Sequence, residues 1–336
     1  MTDGALQWHD PDWLDEAATW IRIETARSDI AITGPIEQPH VYPWSTVLRV
    51  PTADGPLFFK ATAPETIYEA ALTQKLAGWY PDRMPELVAV DTPRGWMLMR
   101  DGGEPLRTAI RAKQDLAPWV PVTTLYAELQ LGVVQYVQVF LALGVPDWRL
   151  AALPALYAGL LADTDHLRIG QPDGLSAEEY ALAQSLAARF ADICRQLAAV
   201  GIPETINHGD FHDGNVLVRS NHITLFDWGD ANITHPFVTL RTFFVSMENS
   251  LKLEDYEFTP QMHDLLHLYL AAWKLYASEA DLMAAFQLSR PVASIVKALA
   301  WHQTVSRLPE YLRGKYAGIV PELFREFMEY EKMLRG

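Results

Sequence analysis

Apolar residues at Trp13, Leu14, Ala17, Trp20 and Ile21 recur at helical spacing behind Pro11, and this pattern predicts a leading helix over 8–30. Beyond it the period changes to that of strands. Three extended pieces rich in β-formers follow, roughly 31–41, 45–51 and 55–61. Their separators are Tyr42-Pro43-Trp44 and Thr52-Ala53-Asp54-Gly55, of which Asp-Gly is the clearest hairpin signal. A helix is expected around Thr66-Ile67-Tyr68-Glu69-Ala70-Ala71-Leu72. Two further strands, 86–91 and 96–100, are joined by Thr92-Pro93-Arg94-Gly95.

From Pro105 the apolar positions return to helical spacing. Leu125, Leu129, Val133, Tyr136, Val137, Phe140 and Leu141 mark one helix with a buried face. A second long helix runs from Ser176 to Ala199, opened by Ser176-Ala177-Glu178-Glu179 as a capping box and closed near Gly201 and Pro203. A short hairpin is expected from 215–218 and 222–226 around the polar tip Arg219-Ser220-Asn221. Residues 261–335 read as about four helices carrying Trp273, Tyr276, Phe286, Trp301 and Tyr311, an aromatic set of the kind that usually forms core. There is no internal repeat and no low-complexity segment.

A chain of 336 residues that is 49% hydrophobic supports sizeable cores, in two domains or one large bilobal one. A single cysteine, Cys194, excludes an internal disulfide framework and suits a reducing cytoplasm. The first ten residues have neither a basic region nor an apolar core, and no run approaches the ~20 apolar residues needed to span a bilayer, so a soluble cytoplasmic protein without a membrane partner is expected. The net charge of −15 argues against a nucleic-acid partner. The same charge would steer a cationic substrate, or simply keep a large protein dispersed.

Candidate chemistry gathers at one end of the hairpin. His208, Asp210 and Asn215 precede its first strand or open it, and Asp227 follows the second. Phosphoryl transfer needs a carboxylate to orient the attacking hydroxyl and accept its proton, and oxygen donors to hold the magnesium ions that bridge the phosphates. Asp210 fits the first role, Asn215 and Asp227 the second. In protein kinases the metal-binding Asn also stands five residues after the catalytic Asp, with the second metal-binding Asp after the next hairpin.

The run His208-Gly209-Asp210-Phe211-His212-Asp213-Gly214-Asn215-Val216-Leu217, followed by Leu225-Phe226-Asp227-Trp228-Gly229-Asp230, resembles the aminoglycoside phosphotransferase and choline kinase superfamily, small-molecule relatives of protein kinases. The resemblance implies an α+β, protein-kinase-like bilobal fold. Its small antiparallel-sheet lobe, 1–101, would hold a leading helix, a five-stranded sheet, one helix and the ATP. The larger, mainly helical lobe, 102–336, would carry the catalytic loop and the acceptor site. Asp210 would be the base, and Asn215 and Asp227 the Mg2+ ligands. Lys60, in the apolar strand Leu57-Phe58-Phe59-Lys60-Ala61, would hold the phosphates and Glu69 would steady it. Glu65 is the alternative partner, though beside Pro64 it reads as a helix-dipole charge. Backbone groups around Met99, Arg100 and Asp101 would meet the adenine edge.

His208 would brace the catalytic loop. His212 stands where protein kinases place a lysine, and a phosphate or substrate contact is weighed there against loop packing. Two positions depart from the pattern. No Gly-x-Gly-x-x-Gly occurs, Gly34 being isolated, so backbone amides near Trp44 and Ser45 are the candidates to cover the triphosphate. Thr239 stands where the family commonly carries an Asp.

The expected reaction is ATP- and Mg2+-dependent transfer of the γ-phosphate to a hydroxyl of a small-molecule acceptor, such as an aminoglycoside, a choline-like amine or an amino sugar. A non-catalytic nucleotide-binding module is the alternative; a protein kinase is disfavoured by the missing glycine loop and by the absence of Asp-Phe-Gly and Ala-Pro-Glu. Glu248, Glu254, Asp255 and Glu257, with Trp148, Tyr256 and Trp301, are candidates to hold an amine, although most of these acids read as solvated surface. His263 and His267, at i and i+4, read as a packed helical pair rather than a zinc site.

Overall fold

The leading helix, α1 (Pro11–Arg27), begins where Asp10 accepts a hydrogen bond from the Asp12 N–H and Pro11 takes the first helical position. The structure is a computed structural model that describes residues 7–253, 258–308 and 310–335. Next come β1 (Glu37–Tyr42), β2 (Ser45–Val50), β3 (Leu57–Thr62), α2 (Tyr68–Trp79), β4 (Leu87–Asp91) and β5 (Trp96–Arg100). They form a five-stranded antiparallel sheet in the order β1-β2-β3-β5-β4. The first extended piece pairs in earnest only from Glu37, with a single bridge between Ile32 and Thr52 before it.

One face of this sheet is covered by α1. Leu57, Phe59 and Ala61 alternate along β3 and pack with Leu98, Trp96, Trp20 and Ile21. Phe59 lies 5.4 Å from Trp96 and 5.7 Å from Trp20, ring centre to ring centre. The opposite face carries Met97 and Met99 against Ala70 of α2. Register pairs Lys60 with Met97, so the lysine points to that second face.

The chain continues through β6 (Glu104–Pro105), α3 (Leu106–Lys113), α4 (Trp119–Val133), α5 (Val137–Ala142), α6 (Leu153–Ala162), α7 (Thr164–Leu167), α8 (Ala177–Ser185) and α9 (Ala187–Ala199). After β7 (Thr205–Asn207) comes the hairpin β8 (Val216–Arg219) and β9 (His222–Leu225), then β10 (Asn232–Thr234). The two long helices predicted over 125–141 and 176–199 are each broken into two. The first is interrupted by a 3-10 turn over Val134–Tyr136 after the β-branched pair Val133 and Val134. The second breaks at Leu186, where the Ser185 hydroxyl donates to the Leu182 carbonyl. The capping box at Ser176 is present, with reciprocal bonds to Glu179.

The last part contains α10 (Leu240–Leu251), α11 (Pro260–Ala271), α12 (Glu279–Arg307), α13 (Glu310–Tyr316) and α14 (Ile319–Arg335). Trp273 and Phe286 are buried as expected, but Tyr276 and Tyr311 are exposed. Cys194 is buried, which pushes its thiol up to about 12. Among the described residues no helix is long and apolar enough to cross a membrane.

Two compact units result. The first comprises Met1–Leu106 with Gly214–Asp230, the second Arg107–Asp213 with Ala231–Gly336. The expected lobes 1–101 and 102–336 are contiguous in sequence, whereas these units are not. The reason is the pairing of β6 with β8, which makes a three-stranded sheet β6-β8-β9 and fastens the hairpin to the first unit. Gly103 permits this: its φ is +108, and a Cβ there would collide with the Val218 carbonyl.

Phe59→Ala would empty the centre of the α1-covered face. A loss of about 3–5 kcal/mol is expected from urea unfolding followed by circular dichroism. A loss under about 1 kcal/mol would show that this aromatic cluster does not hold the first unit together.

Candidate active site

In the first unit, the apolar strand β3 delivers one charged side chain to the face covered by α2. Lys60 Nζ lies 2.6 Å from Glu69 Oε1 and 2.5 Å from Asp227 Oδ1. Its side chain is 9% exposed and that of Glu69 1%, while that of Asp227 is 43% exposed. Burial works against the charge on Lys60, but the two carboxylates outweigh it and hold the ammonium above the ordinary lysine range. Burial raises Glu69 more than Lys60 lowers it, so its carboxyl stands above the usual carboxylate range. Glu65, the alternative partner, lies in the short 3-10 turn before α2 and is exposed.

Gly229 packs directly on this pair: a Cβ there would stand 3.2 Å from Glu69 Oε2. The Tyr68 hydroxyl donates to the Gly229 carbonyl at 2.6 Å. Asp227 sits at φ +67, a left-handed conformation that few residues other than glycine adopt. The hairpin register, Val216 opposite Leu225, places Asn215 across from Phe226, whose N–H donates to the Asn215 carbonyl. Asn215 and Asp227 therefore flank the base of one hairpin. An amide and a half-exposed carboxylate are hard oxygen donors, a set that suits magnesium, and the fixed ammonium of Lys60 suits a phosphate.

Met99 and Arg100 lie in the β5 ladder, and the Arg100 N–H is taken by the Glu86 carbonyl. Asp101 follows the ladder, accepts from the Gly103 N–H and pairs with Arg219 at 2.7 Å. At the β1–β2 turn the rings of Tyr42 and Trp44 stack, and Ser45 is already paired within the sheet.

The second unit holds the loop after β7. Thr205 and Ile206 are tied to Gln130 of α4, which is itself bonded to Tyr269. His208 is fully buried; its N–H donates to the Tyr126 hydroxyl, which also receives the hydroxyl of Thr239. Tyr126 stacks on Phe211 at 3.9 Å. Thr239 thus braces the loop from the position where an Asp is common.

On this support Asp210 meets two partners. Lys297 Nζ donates to Asp210 Oδ1 and to the Gly209 carbonyl, each at 3.0 Å, and His212 Nε2 lies 3.2 Å from Asp210 Oδ2. Burial would raise the Asp210 carboxyl, but Lys297 and His212 overcome it and hold the group well below the usual carboxylate range. Arg107 approaches His212 Nδ1 at 3.5 Å, which leaves Nε2 to carry the proton toward Asp210. Asp213, buried, accepts from Arg107 and from the Ser250 hydroxyl, and its N–H donates to Ser246.

Lys297 was missed in the sequence, although its signal was that of Lys60: a lone cation in an apolar run, Pro291-Val292-Ala293-Ser294-Ile295-Val296-Lys297-Ala298-Leu299-Ala300-Trp301. A cleft beside Gly209 is lined by Asn207, Asn232, Thr239, Arg241, Thr242 and Lys297. Of the residues considered for binding an amine, Trp148 is buried, Trp301 stacks on Tyr316, and Glu248 is half-buried. Glu254, Asp255, Tyr256 and Glu257 lie outside the described residues.

A five-stranded antiparallel sheet with one lysine–glutamate pair, followed by a mainly helical remainder, is the protein-kinase-like α+β fold. The profile of the phosphotransferase enzyme family matches residues 59–240, more than half of the chain. The chain belongs to that family and is a phosphotransferase. No curated protein matches it in sequence. Among solved structures, a choline/ethanolamine kinase family protein from Mesorhizobium loti is 16% identical, with a TM-score of 0.57 over 90% of this chain and 94% of that one. The choline kinase of Streptococcus pneumoniae is 12% identical, with a TM-score of 0.58 over 95% and 99%. An amicoumacin kinase in complex with AMP-PNP, Ca2+ and Ami is 10% identical, with a TM-score of 0.53 over 90% and 88%. At these identities the likeness is one of fold.

Lys60→Met would leave Glu69 buried without its cation and is expected to cost about 3–5 kcal/mol in urea unfolding. Lys60→Met with Glu69→Leu should recover most of that loss. A double variant as unstable as the single would show that shape, not charge pairing, governs the site.

Proposed function

We propose that the protein is an ATP- and Mg2+-dependent kinase that transfers the γ-phosphate to a hydroxyl of a small molecule. The observation that carries this reading is Asp210, a half-buried carboxylate kept ionised by Lys297 and His212, five residues before Asn215. Lys60 would hold phosphate oxygens, Glu69 and Asp227 would keep its ammonium in place, and Asn215 and Asp227 would hold magnesium. Magnesium, when bound, offsets the negative charge of the phosphates. Met99, Arg100 and Asp101 would frame the adenine edge, with groups beyond the Arg100 N–H doing the hydrogen bonding. A cytoplasmic setting would supply ATP and keep Cys194 reduced.

The low proton affinity of Asp210 shapes its part in the reaction. Such a carboxylate orients the acceptor hydroxyl by accepting its hydrogen bond, and receives the proton only when bond formation has made the oxygen acidic. Lys297 and His212 serve this by holding the carboxylate oxygens in place. They also set the acceptor's character: an amine adjoining the reacting hydroxyl would confront Lys297. The hydroxyl is therefore expected on a neutral or anionic part of the acceptor, with any cationic group placed farther off.

ADP release from Mg-ATP across a panel of amino alcohols, amino sugars, aminoglycosides and hydroxy acids tests the reading. Acceptor-dependent release should fall by about 10²–10⁴-fold in Asp210→Asn. Release that no acceptor stimulates, with ATP still bound, would instead identify a nucleotide-binding module. Lys297→Met removes the main cation lowering Asp210, so the acid limb of the kcat profile should move to higher pH; a profile that stays in place would remove Lys297 from this role.

A further inference from the structure

Away from both charged clusters, the second unit brings Asp163, His166 and His302 together. Asp163 stands between α6 and α7, His166 lies within α7, and His302 comes from the C-terminal part of α12. One ligand atom from each converges, all within 4.8 Å of one another. Asp163 Oδ2 is 2.9 Å from His302 Nε2 and 2.9 Å from His166 Nδ1. The imidazole rings are 4.8 Å apart at 62°. Asp163 Oδ1 is used differently, accepting from the His166 N–H at the start of α7. Thus one carboxylate oxygen is set aside for both imidazoles.

We propose that Asp163, His166 and His302 form a zinc site. His166 Nδ1 is buried and, although near the carboxylate, is not aligned to hydrogen-bond with it or with any other described group. A buried imidazole nitrogen without an aligned partner is costly unless something else satisfies it. Two imidazoles and a carboxylate are the ligand types zinc takes, and three protein ligands leave a fourth position for water. Nitrogen donors disfavour magnesium, so this site does not compete with the oxygen donors at Asn215 and Asp227. The ion would have a structural consequence. The four-residue α7 is too short to hold itself as a helix, and the metal would fasten it to α12.

The test uses the full chain stripped by chelation, then equilibrated with about 1 μM free zinc in excess Mg2+. Bound metal is counted by mass spectrometry, and Co2+ substitution is read by its visible absorption. One equivalent of zinc and a tetrahedral Co2+ spectrum are expected, both lost in His302→Ala and His166→Gln and both kept in Asp227→Ala. Circular dichroism verifies that the variants are folded. Should His302→Ala unfold, Asp163→Asn replaces it. Failure of the wild-type chain to take up zinc, or uptake and a spectrum unchanged in folded histidine variants, would overturn the proposal, leaving a His–Asp–His cluster without a metal.

Discussion

The first unit depends on one buried ammonium. Lys60 is carried by a strand whose other residues are core, so its charge must be satisfied where water does not reach. Glu69 from α2 and Asp227 from the end of the hairpin supply that satisfaction from segments far apart in sequence. The requirement explains otherwise odd local features. Gly229 has no side chain because Glu69 occupies the space, and Asp227 takes a left-handed conformation that turns its carboxylate to the lysine. Such a pair adds little net stability over an apolar replacement of similar volume.

The second unit solves the same problem with the signs exchanged. There the charge is a half-buried carboxylate, Asp210, and the cation arrives from α12. The loop is held from beneath by Tyr126 stacked on Phe211, Gln130 bonded to β7, and Asp213 bonded to Arg107 and two serines. Positioning of this kind is what phosphoryl transfer asks of a protein, because the bonds that form and break belong to the substrates.

Much of this was legible in residue order. The strands, the hairpin and the capping box announce themselves through local chemistry, and Asn215 and Asp227 stand at a spacing that a hairpin dictates. What was not legible is instructive. The breaks at Val134 and Leu186 arise from small local competitions that leave the apolar period intact on both sides. The attachment of the hairpin to the first unit rests on two residues of β6 and a glycine, too short a segment to carry a periodicity.

Lys297 is the sharper omission. A lysine in an apolar strand stood out as needing a partner, yet a lysine in an apolar helix did not, because helices normally turn such residues to solvent. The distinction fails for α12, in which Pro291, Val292, Ala293, Ser294, Ile295, Val296, Ala298 and Leu299 are all buried. A helix apolar on every face has no outward side on which to hide a charge, so a lone lysine within it must face a buried or partly buried partner. The partner here is the carboxylate that the rest of the loop is built to present. A single charge in a stretch apolar on every face thus marks Lys297 as a candidate site residue by its sequence surroundings alone.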